Sequence, residues 1–93
     1  MKLNPGDTVS YYFYFKDKNG ALIDPDPSTL TFDVQDPSGN ETSVTVTKIQ
    51  TGTYEFNYNL PTDAALGIWK VLVHAEIGSF ISSESVPFKV EAL

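Results

Sequence analysis

Cysteine and arginine are both absent from this chain, and histidine, tryptophan and methionine each occur once. Without cysteine there is no disulfide, no thiol nucleophile and no Cys/His zinc set, and the compartment stays open, since cytosolic proteins and bacterial or archaeal extracellular modules both tolerate zero cysteine. Without arginine the planar fork that reads phosphates and base edges is gone. Six lysines stand against twelve acidic residues, a net charge of −6, so a phosphate backbone or an anionic membrane is repelled. Nucleic acid is excluded as a partner. No apolar run approaches the roughly 20 residues needed to cross a bilayer, which argues against direct membrane insertion. Met1–Gly6 has no apolar signal-peptide core, so a secreted parent would carry its export signal elsewhere.

Helical periodicity and internal repeats are also missing; two-residue alternation fills the chain instead. Val9, Tyr11, Phe13 and Phe15 alternate with Ser10, Tyr12, Tyr14 and Lys16, and the first set is expected inward. Asp17-Lys18-Asn19-Gly20 predicts a type I′ hairpin turn with a short return arm over Ala21–Ile23. Asp24-Pro25-Asp26-Pro27 is a loop, because two prolines remove ladder donors. Leu30, Phe32 and Val34 share one face of the next strand, and Asp36-Pro37-Ser38-Gly39 matches a type I turn. Thr42–Ile49 reads as one strand with Val44 and Val46 inward and a wet threonine face.

Thr53–Val73 is the densest stretch. Tyr54, Phe56, Tyr58 and Leu60 form one stripe, and Trp69, Val71, Val73 and Ala75 form another. Between them, Pro61–Gly67 predicts a single helical turn capped by Thr62 or Asp63, with Leu66 plugging the core. The last strand carries Val86, Phe88 and Val90 inward, and Pro87 places it at an edge or a bend. About seven short antiparallel strands, joined by turns in a Greek key, predict an all-β immunoglobulin-like β-sandwich in which residues 1–93 form a single domain. With 41% hydrophobic and 13% aromatic residues, such a domain can build its core without staples.

Asp36-Pro37-Ser38-Gly39, Thr51-Gly52-Thr53-Tyr54, Leu60-Pro61-Thr62, Gly67-Ile68-Trp69 and Val86-Pro87-Phe88-Lys89-Val90 together resemble filamin-type repeats. The pattern is equally similar to the macroglobulin-like modules of the alpha-macroglobulin family and of bacterial surface proteins. It spans most of Thr29–Val90, mainly at turn and core positions. The resemblance implies an E-set immunoglobulin-like module, one bead of a longer protein without catalysis. In filamin repeats, partner peptides add beside the third and fourth strands, which here correspond to Thr29–Gln35 and Ser43–Ile49.

Candidate sites are sparse. Loop oxygens at Asp17, Asn19, Asp24 and Asp26, with Asp36 and Asn40 further on, suit a calcium ion in type, but their spacing is no calcium motif, and ordinary turn formation explains them better. His74 has outward parity, with no Gly-Xaa-Ser-Xaa-Gly elbow in the chain, and no phosphate loop calls for a cofactor. Tyr12 and Tyr14, with Asn57 and Asn59, could form a flat aromatic and amide face for a sugar. Ile68 and Leu72, two apart and outward, could contact a neighbouring module. Asn40-Glu41-Thr42 is a formal glycosylation acceptor.

The expected function is therefore a non-catalytic structural and interaction module of a multidomain extracellular or cell-surface protein. It would act as a spacer, with neighbouring domains or protein partners in contact and no cofactor. A carbohydrate- or peptide-binding module is the first alternative, and a structural domain of a phage or virus particle the second.

Overall fold

The computed structural model describes residues 2–93; Met1, where the expected domain begins, lies outside the described residues. Eight strands follow in order: β1 (Lys2–Leu3), β2 (Thr8–Tyr14), β3 (Thr31–Gln35), β4 (Glu41–Ser43), β5 (Thr47–Gln50), β6 (Thr53–Asn59), β7 (Gly67–Ile77) and β8 (Phe80–Val90). They build a five-stranded sheet in the order β1-β8-β7-β3-β4 and a three-stranded sheet in the order β2-β6-β5. The result is the immunoglobulin-like sandwich that the alternation predicts, with no helix among the described residues.

Inward parity holds along β2, β3, β6 and β7 and over the second half of β8. Val9, Phe56, Val71, Ala75, Phe88 and Val90 are almost wholly removed from water. Phe32 of β3 is the hub of the aromatic packing, with ring centroids 5.3 Å from Phe13, 6.2 Å from Phe56, 6.4 Å from Tyr54 and 6.5 Å from Phe15. Aromatic pairs at such separations contribute about 0.5–1.5 kcal/mol each beyond their burial. Trp69 lies apart from this group, stacked on its cross-strand neighbour Phe88 at 6.1 Å.

Three local expectations are corrected. Thr42–Ile49 is two strands: β4 pairs with β3 in one sheet, β5 pairs with β6 in the other, and residues 44–46 cross between them. Val44 and Val46 still pack on the core, because alternation survives the crossing although the ladder partner changes. Pro61–Gly67 forms no helical turn. A single turn closed by Ala64 N–H on Pro61 O (3.1 Å) drives Ala64 into the core and leaves Leu66 55% exposed, so the predicted plug is replaced by its smaller neighbour. Trp69 Nε1 then donates to Ala65 O at 2.8 Å, holding this connection against the root of β7.

The third correction is Asp17–Gly20. It is not a type I′ turn, since only Gly20 has positive φ (+84°). Instead Gly20 N donates to Asp17 O and Asp17 N to Ala21 O, while Asp17 Oδ1 accepts from Asn19 N at 2.8 Å and Ala21 N at 3.1 Å. The carboxylate stabilises a three-residue turn that ends in a left-handed glycine. Asp36–Asn40 repeats the arrangement bond for bond, with Asp36 Oδ1 accepting from Ser38 N and Asn40 N at 2.9 Å each.

The molecule measures 43 × 23 × 20 Å. Its length comes from the β7–β8 hairpin, whose eleven-residue arms pair from Gly67↔Val90 to Ile77↔Phe80 and turn through Gly78-Ser79. Pro87 lies in β8 where β1 does not reach, an edge position as its chemistry requires.

Candidate functional site

The oxygen-rich loop residues are engaged with the fold itself. Asp17 and Asn19 belong to the first aspartate turn, and Asp26 Oδ1 accepts from Ser28 N and Ser28 Oγ at 3.0 and 2.9 Å. Asp24 does something the sequence did not suggest. Its Oδ2 receives Lys48 Nζ at 2.7 Å, while its Oδ1 receives Gly52 N at 2.8 Å and the Tyr54 hydroxyl at 3.3 Å. One carboxylate thus ties the proline loop to β5, to the β5–β6 turn and to a core tyrosine. The Lys48 hydrogen bond, helped by the Gly52 N–H, holds the Asp24 carboxyl below its usual range, and the same bond raises Lys48. Desolvation would raise Asp36, but the N–H and amide of Asn40 and the N–H groups of Ser38 and Gly39 outweigh it and leave that carboxyl lowered. Among the described residues, no three His, Cys, Asp or Glu side chains converge as a metal set would.

Tyr12, Tyr14, Asn57 and Asn59 share the outer face of the three-stranded sheet and all are exposed. The register sets Tyr12 opposite Glu55, Tyr14 opposite Thr53, Ser10 opposite Asn57 and Thr8 opposite Asn59. The two amides therefore flank the tyrosine pair diagonally and from one side rather than facing it. The Tyr12 hydroxyl donates to Glu55 Oε2 at 3.0 Å, a bond that with the carboxylate's charge raises the Tyr12 pKa. Thr8 Oγ1 donates to Asn59 Oδ1 at 2.7 Å, so that amide oxygen is already occupied.

A family model described as MG2 domain matches residues 3–90. The chain belongs to the MG2 domain family. No curated protein matches its sequence. A DUF4785-family protein from Legionella pneumophila has a similar fold, with TM-score 0.74, 17% identity, and 96% of this chain aligned to 26% of that one. The native conformation of E. coli alpha-2-macroglobulin is similar at TM-score 0.71 and 24% identity, covering 99% of this chain and 5% of that chain. A Lin-41 filamin domain is similar at TM-score 0.62 and 18% identity, covering 97% and 82%. This chain thus spans about a quarter of the first of these structures and a twentieth of the second. Both resemblances read from the turns, to macroglobulin-like modules and to filamin repeats, are found in the fold.

Within the MG2 domain, the margin expected to accept a peptide is differently built. β3 is an internal strand, bonded to β7 on one side and β4 on the other, so Thr29–Gln35 presents no free edge along the β4 pairing. The outermost strands on that side are β4 and β5. Ile68 is 51% exposed and Leu72 half-buried, both on the outer face of β7 as the parity predicts.

His74 has a partner that the sequence reading lacked, since its Nδ1 lies 3.0 Å from Ser83 Oγ across the hairpin. The signal for it is the two-residue turn at Gly78-Ser79, which pairs His74 with Ser83. On the other side of His74, where a triad's carboxylate would stand, the register places Thr31. The pair lies on an exposed sheet face, where backbone N–H groups run in the plane of the ladder rather than up towards a bound oxyanion.

Proposed function

We propose that this MG2 domain is a non-catalytic spacer and protein-contact module of a multidomain protein at the cell surface or outside the cell. The observation that carries this reading is the fate of its polar groups. Asp17, Asp24, Asp26 and Asp36 hold turns and loops together, while Ile68 and Leu72 interrupt an outer face of β7 otherwise formed by Lys70, His74 and Glu76. Turn-bound carboxylates make a rigid bead, and an outward aliphatic pair suits a neighbouring domain. The small share of the Legionella and E. coli chains that this fold occupies supports the same picture.

Amide hydrogen exchange, compared between this domain alone and within its parent protein, tests the contact. Slower exchange along the outer face of β7 in the parent is expected; equal rates throughout would overturn it. Labelling of intact source cells by a membrane-impermeant lysine reagent tests the location. Hydrolase activity abolished by His74→Ala would overturn the non-catalytic assignment.

A second reading, glycan binding, is favoured by the neighbouring exposed rings of Tyr12 and Tyr14. It requires that Tyr12→Ala with Tyr14→Ala abolish binding to a polysaccharide panel.

A further inference from the structure

The outer face of the three-stranded sheet carries a charge at its centre that has no counter-ion. Glu55 of β6 stands opposite Tyr12 of β2 on one side and Thr47 of β5 on the other. The ion pairs among the described residues are Lys48–Asp24 and Lys89–Glu91, so Glu55 belongs to neither. Lys48, next to Thr47 in sequence, is turned away to Asp24 at 2.7 Å. Lys16, the cation of matching parity on the β2 side, is four residues past Tyr12, roughly 13 Å along extended chain. That exceeds the screening length of about 8 Å at physiological salt, so Lys16 does little to neutralise Glu55.

The carboxylate is only half engaged. Its Oε2 accepts the Tyr12 hydroxyl at 3.0 Å, a bond that leaves Oε1 unused and sets the Tyr12 ring beside the charge. Tyr14, two residues on, puts a second ring on the same face, diagonal to Glu55. The two rings are 54% and 61% exposed, whereas Glu55 itself is half-buried. Tyr14 also borders a cleft of about 670 Å³ between the end of β2 and the hairpin tip, which gives a ligand room to pass its ring. Aromatic faces attract cations through the ring quadrupole, and a partly desolvated carboxylate attracts them by charge. On a chain of net charge −6, the three side chains complement a cation flat enough to lie on a ring and forked enough to reach an oxygen beside it.

We propose that Tyr12, Tyr14 and Glu55 bind an arginine side chain of a partner protein. The guanidinium would stack on the tyrosine rings and donate to Glu55 Oε1, with the flanking peptide lying over Ser10, Thr47 and Asn57 on the same polar face. Lysine offers a point charge without the planar fork and is the poorer fit. Residues 1–93 contain no arginine, so a second copy of them cannot supply the ligand. The proposal rests on the reading of the domain as a protein-contact module. The neighbour-domain contact uses the outer face of β7 in the other sheet, so either contact can fail without the other. Glycan binding would use the same rings, and Glu55 separates the two, because a neutral sugar needs no negative charge.

The test is an NMR titration of the full chain at low salt with the peptide acetyl-Gly-Arg-Gly-Arg-Gly-amide, and with a counterpart in which citrulline replaces each arginine. Citrulline keeps the shape and removes the charge. The arginine peptide is expected to shift the ring resonances of Tyr12 and Tyr14 and the side chain of Glu55, and to bind at least about tenfold more tightly than its counterpart. Glu55→Gln keeps an acceptor for the Tyr12 hydroxyl and should weaken binding about tenfold at unchanged Tm. The citrulline comparison, made on the unaltered chain, stays decisive if that variant loses stability. Any one of five results would overturn the proposal: equal response to both peptides, shifts centred on Asp33 and Glu41 in the other sheet, full binding by Glu55→Gln, a neutral polysaccharide held by Tyr12 and Tyr14 in place of the peptide, and no response.

Discussion

The two halves of the β7–β8 hairpin share one uninterrupted ladder and differ in almost everything else. At the root, Trp69 and Phe88 stack and are 5% and 2% exposed; at the tip, Phe80 and Ile81 are 65% and 67% exposed. Backbone pairing is the same in both, but in β8 Val86-Pro87-Phe88-Lys89-Val90 alternates and Phe80-Ile81-Ser82-Ser83-Glu84-Ser85 does not. The second sheet makes the difference. The β7 arm stays buried as far as Ala75, whereas the inner-parity residues Ser82 and Glu84 of β8, paired with Ala75 and Val73, meet water. A ladder supplies geometry; burial between two layers supplies stability.

The largest expected effect tests the root. Trp69→Ala removes the ring stacked on Phe88 and the donor to Ala65 O, and should cost about 3–5 kcal/mol in urea unfolding, a large share of the roughly 5–15 kcal/mol that holds a domain together. A loss below about 1 kcal/mol would mean that the root is no better packed than the tip.

Glycine provides a matched pair. Gly52 and Gly78 both have left-handed φ, +71° and +61°. A Cβ on Gly52 would come within 2.8 Å of Phe15 O and 2.9 Å of Ile23 N, whereas one on Gly78 would meet nothing within 4 Å. Alanine at either position bears the left-handed penalty of about 1–2 kcal/mol. Gly52→Ala must also displace main chain and should exceed Gly78→Ala by at least about 1 kcal/mol. Equal losses in thermal unfolding would show that the tip turn is as constrained as the buried one.

How far this contrast was legible depends on the range of the interaction. The inward sets ending in Phe15, Leu60, Ala75 and Val90 follow from a period of two, which any single strand displays. The aspartate turns were half legible: their residues mark a turn, but whether Asn19 or Gly20 takes the positive φ is decided by the closing bond to Ala21. Hydrophobicity alone favoured Leu66 over Ala64, and a single bond to Pro61 O reversed them. The crossing at Val44–Val46 was invisible because changing sheets does not change parity. Asp24 was read as a loop carboxylate, since its partners Lys48 and Gly52 lie 24 and 28 residues away. Likewise, no local pattern says that β3 lies inside its sheet, since edges follow from the order of strands across the sheet.

The pH dependence should separate the tied side of the sandwich from the open one. Asp24 has a lowered folded pKa, caused first by Lys48 and then by Gly52 N–H, so its contribution is present above the unfolded carboxylate value of about 3.9 and is lost as pH falls through the folded value. Lys48 is raised, so its share is complete below about 10.4 and is lost as pH rises through its folded value. Asp24→Asn should flatten the acid limb of a plot of Tm against pH, although Asp36 and Glu91, also lowered, keep part of it. Amide exchange at the hairpin tip, corrected for intrinsic rates, should not change with this titration. If it changes, the tip is coupled to the Asp24 tie and the two sides are not independent.

The smallest effect is expected at the tip itself. Phe80 has the same inner parity as Phe88, eight residues earlier on the same strand, and a scale based on residue type would rank their truncations alike. Its exposure says otherwise: little apolar area leaves water there on folding, so Phe80→Ala should change stability by no more than about 0.5 kcal/mol, against about 3–5 kcal/mol for Phe88→Ala. Urea unfolding of the two variants side by side measures the contrast within one strand. A Phe80→Ala loss approaching that of Phe88→Ala would mean that the tip folds back over the cleft beside Tyr14 in solution and that the hairpin is buried along its whole length.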